Sequence, residues 1–150
     1  MNLKKISMGI LVLFLPLFLV SCAEELAKPR IEGFAVYEKV DPPYVYKAIT
    51  PEGVIIQISI KANYPLNADN EFWANAIENY VPQKGYKLVK KGDSQKGKYF
   101  IFLVPGVKYD YFYLVHFYIQ ENKITLTEAG GQYAFLKDYE TRIIQFASNY

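Results

Sequence analysis

Residues 99–120 read YFIFLVPGVKYDYFYLVHFYIQ, and both arms of this stretch are apolar on both faces. Tyr99, Ile101 and Leu103 alternate with Phe100, Phe102 and Val104. After the Pro105-Gly106 break, Tyr111, Tyr113, Val115, Phe117 and Ile119 alternate with Phe112, Leu114, His116 and Tyr118. A period of two without a polar face marks strands that are covered above and below. The two arms are therefore predicted to lie at the centre of a sheet with helices on it.

Working outward, the flanking segments supply the rest of that sheet. Upstream, Phe34–Val40 and Tyr44–Thr50 read as strands, and Thr50-Pro51-Glu52-Gly53 carries a type I turn signal. Val54, Ile56, Ile58 and Ile60 then share one face of a strand ending at Lys61. A helix is predicted from about Asp69, capped by Asn67 or Asp69, with Phe72, Trp73, Ala76, Ile77 and Tyr80 as its apolar stripe. Pro82 ends it, and Tyr86–Lys91 is a short strand before an exposed turn. Downstream, Ile124–Ala129 is a last strand, Gly130-Gly131 is read as a break, and a second helix is predicted over about Gln132–Ser148. Hairpin-length connections in this order predict an α+β fold: an antiparallel sheet of about six to seven strands with helices packed on it.

The N-terminus has a different character. Lys4 and Lys5 precede an apolar run from Ile6 to Val20 that contains Pro16, and Ser21 stands before the single Cys of the chain, Cys22. A charged n-region, an apolar core and a small residue make a secretory signal. The run is also shorter than the roughly 20 residues a spanning helix needs. Leu19-Val20-Ser21-Cys22 resembles the bacterial lipobox. That resemblance implies cleavage after residue 21, acylation of Cys22, and an extracytoplasmic chain anchored to a membrane by lipid. Where the cell has two membranes, Ala23 implies the outer one, facing the periplasm. The expected organisation is a signal peptide over 1–21, a tether over 22–33 and a single α+β domain over 34–150. Lys4 and Lys5 carry the whole formal charge of +2. The mature chain is thus balanced, and neither its net charge nor its compartment favours nucleic acid.

From Phe34 onward the chain resembles the PsbP-like superfamily, which includes a photosystem II extrinsic protein, Ran-binding Mog proteins and DcrB-type lipoproteins. The residues that carry this are the early hairpin, the helix within Asn67–Tyr80 and Lys84-Gly85-Tyr86-Lys87-Leu88. The Tyr/Phe-rich hairpin and a terminal helix holding Ile143-Ile144-Gln145-Phe146 complete them. The Pro-x-x-Trp common near the family's first strand is absent. The resemblance implies an α-β-α sandwich used for binding or assembly, with no catalytic set to carry over.

Chemistry is sparse in this sequence. His116 is the only His, on an aromatic strand where a core role competes with that of a general base. One His and one acylated Cys offer no metal cluster, and no cofactor is expected. Lys84, Lys87, Lys90, Lys91, Lys96 and Lys98 form a cationic run that suits either an anionic surface or the protection of an edge strand. Tyr109, Tyr111, Tyr113 and Tyr118 are candidates for an aromatic groove, or for cross-strand packing. The reading is a non-enzymatic binding or assembly module of the cell envelope. Its partners are the membrane, through acylated Cys22, and an envelope protein or lipid. Two alternatives stay open: a small envelope hydrolase using His116, and a carrier of an apolar ligand.

Overall fold

The computed structural model describes residues 28–150; the signal and Cys22 lie outside them. Seven strands form one antiparallel sheet in the order β1-β2-β3-β7-β6-β5-β4. They are β1 (Ala35–Val36), β2 (Tyr44–Ile49), β3 (Ile55–Ala62), β4 (Lys87–Asp93), β5 (Lys98–Val104), β6 (Tyr111–Gln120) and β7 (Lys123–Gln132). Helix α1 (Asn70–Tyr80) follows β3, and α2 (Leu136–Asn149) closes the chain. The fold class is α+β, as the alternation of residues 99–120 requires. Asp69 caps α1, its Oδ1 accepting from the Phe72 N–H at 2.8 Å.

Strand alternation separates two cores. On one face Tyr46, Ile56, Ile58, Ile101, Phe112 and Leu114 pack beneath Leu136, Tyr139 and Ile143 of α2. On the other, Phe100, Phe102, Phe117 and Ile124 pack beneath Ala74 of α1 and Val81 of the 3-10 turn Val81–Lys84 that follows it. β5 and β6 contribute to both, which is why neither has a polar side.

Three sequence expectations change. The first strand shrinks to two residues, because only Ala35 and Val36 find partners, in Ile49 and Ala48. The tether expected over 22–33 is docked in its described part: Ile31 is buried in the α2-side core, and Arg142 donates to the Glu32 carbonyl. Gly130 and Gly131 do not break the chain. They continue β7 in register with Ile55 of β3 and with Tyr113 and Phe112 of β6. The reason for Gly131 is close approach, since a Cβ there would lie 2.8 Å from Val54 Cγ2.

Candidate functional site

A concave feature lies on the α1 face. Helix α1 sits over β5, β6 and the start of β7, and it does not cover the sheet to the far end of β7. A groove of about 920 Å³ remains between helix and sheet, within the range expected for small-molecule sites. Trp73, Ala76, Ile77 and Tyr80 of α1 form one wall; Tyr113, Val115, Ile124 and Leu126 form the floor. Gly130 and Gly131 line one end, beside Tyr111, Val104, Tyr86 and Lys84, and Lys61 lines the other.

The polar atoms of the wall and floor are largely engaged within the protein. Trp73 Nε1 donates to Asn63 Oδ1 at 2.7 Å, and Asn63 Nδ2 in turn donates to the Ala68 carbonyl. The Tyr113 hydroxyl donates to Glu128 Oε1 at 2.5 Å. Burial, followed by that contact with Glu128, holds the Tyr113 hydroxyl above its ordinary pKa, so it stays protonated. What these side chains offer a guest is their apolar surface. The lining of the groove includes no His, no Cys and no Ser.

The tyrosine candidates divide. Tyr113 is on the floor of the groove and Tyr111 stands at its edge, whereas Tyr118 points to the α2 face, with Lys96 over its ring at 5.3 Å. An even-numbered residue on β6 cannot share a face with 111 and 113. Tyr109 is exposed in the loop before β6.

The lysine run also divides. β4 is an edge strand, and a bulge between Leu88 and Lys90 changes which face each following residue meets. Lys90 reaches over the α2 side to Glu140, and Lys91 over the α1 side to Glu78 at 2.6 Å. Lys98 is held between Asp93 and Glu71, both at 2.9 Å. The six cations do not converge on one surface. Lys84, Lys87 and Lys96 have no carboxylate partner among the described residues, and of these only Lys84 reaches the groove.

His116 is fully buried on the α2 face, yet its Nε2 lies 2.8 Å from Ser94 Oγ. A Ser–His contact invites a catalytic reading, and the hydrogen bonds argue against it. Ser94 Oγ accepts from the Gly97 N–H and donates to the Gly97 carbonyl, both at 3.1 Å. The Nε2–H of His116 therefore donates to Ser94, which leaves no lone pair there to take the hydroxyl proton. Nδ1 has no partner among the described residues, so no carboxylate orients the ring. Burial drives the His116 pKa down to about 4. The contact ties the β4–β5 turn to β6. It is structural.

Among the described residues no group of His, Cys, Asp or Glu is placed to hold a metal ion. Nor is any helix there long and apolar enough to cross a membrane. No family model and no curated protein matches the sequence. Among solved structures, the solution structure of cyanobacterial PsbP (CyanoP) from Synechocystis sp. PCC 6803 is similar. It has 8% sequence identity and a TM-score of 0.47, over 77% of this chain and 81% of that one. At that level the likeness decides neither fold nor function.

Proposed function

We propose that this chain is a lipid-anchored, extracytoplasmic binding module of the cell envelope, non-enzymatic, whose site is the groove between α1 and the sheet. The observation that carries the reading is the groove itself: about 920 Å³, with the Trp73 and Tyr113 polar atoms tied internally so that wall and floor face inward as apolar surface. Anchoring through Cys22 is supported by the Leu19-Val20-Ser21-Cys22 motif and the apolar run before it. The charge balance of the mature chain and its compartment speak against nucleic acid. The groove, with no His, Cys or Ser in its lining, favours the carrier reading over the hydrolase reading.

The test is native mass spectrometry of the full chain extracted from its own membrane, beside an Ala76→Phe variant that fills the helix wall. An apolar adduct on the wild type that is lost from Ala76→Phe supports the site. The chain contains one Trp, and Trp73 lines the groove, so its emission should shift to the blue when an apolar probe enters. Adduct-free spectra from both chains, with unmoved Trp73 emission, would overturn the reading. Anchoring is checked separately, by loss of acyl label in Cys22→Ala.

A further inference from the structure

The shape and charge of the groove specify more than an apolar guest. Its floor follows β7 from Ile124 to Gly130, six residue steps or about 20 Å at the rise of an antiparallel strand. With carbon–carbon bonds of about 1.5 Å, an extended chain of about sixteen carbons covers that distance. The floor also takes in Tyr113 and Val115 of β6, and Glu128, on the same face of β7 between Leu126 and Gly130, is tied to the Tyr113 hydroxyl.

Its polar groups are placed unevenly. Lys84 lies just beyond the C-terminus of α1, its ammonium 4.9 Å from the centre of the Tyr80 ring. Tyr80 and Tyr111, both more than two-fifths exposed, line the same groove, and their hydroxyls have no hydrogen-bond partner within the described residues. Three donors are thus available toward that end, one of them cationic. Lys90, Lys91 and Lys98 are neutralised by Glu140, Glu78 and the Asp93–Glu71 pair, whereas Lys84 has no acid. A cation left unpaired beside tyrosine hydroxyls, at one end of an apolar channel, complements an anionic head on an apolar tail. An extended peptide fits less well. The groove exposes a sheet face and not a free strand edge, so it offers a peptide backbone no ladder of hydrogen bonds.

We infer that the groove takes a single-chain fatty carboxylate, with its tail along β7 from Gly130 toward Ile124 and its carboxylate at Lys84. This rests on the groove being the binding site proposed above. Gly130 has a role in it that the sequence did not suggest. It stands between Ile55 and Tyr113 in the sheet register, and the absence of a side chain keeps the channel open beneath the tail.

The experiment uses the full chain in phosphatidylcholine nanodiscs with two diazirine-bearing sixteen-carbon probes, a fatty acid and the corresponding fatty alcohol. Expected is crosslinking of the acid to peptides containing Tyr113, Leu126 or Ile77, about three- to tenfold stronger than that of the alcohol. Lys84→Gln should remove the preference and leave the alcohol's crosslinking unchanged, while Lys61→Gln should leave the preference intact. Gly130→Leu should abolish both. Because a Cβ at Gly130 would sit 3.3 Å from the Phe112 carbonyl oxygen, Ala76→Phe serves as a second block, and retention of the near-ultraviolet circular dichroism shows that each variant is folded. Crosslinking in the groove without preference for the acid, or insensitive to Lys84, overturns the carboxylate assignment and leaves the binding site standing. No crosslinking in the groove by either probe overturns both. Capture of a diazirine-bearing apolar peptide in place of either lipid overturns the acyl occupant.

Discussion

Lowering the pH from 7 to 5 should destabilise this protein through one side chain. His116 is fully buried, its ring bonded only to Ser94, and burial lowers its pKa from 6.5 to about 4. Below pH 6.5 the unfolded chain binds a proton that the folded chain refuses until about pH 4, so stability is complete above 6.5 and is lost as pH falls. Each pH unit in that window costs about 1.4 kcal/mol, for about 3 kcal/mol in all and about 2 kcal/mol between pH 7 and pH 5. Carboxylates also titrate there, so the measurement is a difference. Urea unfolding of the wild type and of His116→Gln at both pH values cancels the groups the two chains share. Gln retains an N–H to donate to Ser94 and has no charge to gain. The wild type should lose about 2 kcal/mol more than the variant, roughly 1 M in urea midpoint. As the sole His, it also gives a single imidazole C2–H resonance that reports its titration directly. Parallel stability losses, or a folded-state midpoint between pH 6 and 7, would refute the assignment of a buried neutral imidazole.

Ile143→Ala should cost about 2–5 kcal/mol by chemical denaturation, because Ile143 is fully buried where α2 meets the sheet; a loss under 1 kcal/mol would mean that α2 is not packed as described. Ile31→Ala should also destabilise, by about 2 kcal/mol or more, since Ile31 belongs to that core. An unchanged melting temperature would return this segment to the tether. Replacing Lys87, Lys90 and Lys91 by Thr should leave the monomer folded but raise its aggregation rate, read by light scattering, because β4 is an unprotected sheet edge without them. Ala76→Leu should raise the stability of the ligand-free chain by about 1 kcal/mol while eliminating lipid crosslinking, since it places apolar volume in the groove.

The parts of the fold that were legible in the sequence are those set by local chemistry. Residues 99–120 could only be central strands, Asp69 could cap a helix, and the turn Thr50–Gly53 closes with Gly53 N–H donating to the Thr50 carbonyl. What was illegible depends on what lies opposite. Gly130-Gly131 looks like a break in any sequence; only the presence of Val54 against Gly131 explains why glycine belongs in the strand. Six nearby lysines look like a patch until a bulge and two helices draw three of them, Lys90, Lys91 and Lys98, to separate carboxylates. Ser94 comes to His116 because β4, β5 and β6 are paired in a register that no spacing rule reveals. The groove was half visible: Tyr111 and Tyr113 were among the candidates, but the lateral position of α1, which makes the cavity, is not encoded in the helix's own stripe.

That lateral position gives the clearest argument that the groove is used. Apolar burial is worth roughly 25 cal/mol per Å², so a chain under selection for stability alone would fill such a channel. Small residues at two lining positions, Ala76 on the helix and Gly130 on the sheet, keep this one open. Elsewhere the same sheet is filled closely. Phe102 and Phe117 are fully buried beneath α1 and the turn that follows it, and Phe112 and Leu114 are buried under α2. The sequence therefore has the means to close the gap and places its smallest side chains there. Leaving apolar surface open beside an unpaired lysine costs stability without helping the fold, which is the pattern expected where a ligand completes the packing. The Ala76→Leu experiment tests this reasoning directly. A gain in stability with loss of lipid identifies the gap as a retained binding site, whereas a loss of stability would show that packing alone requires alanine at that position.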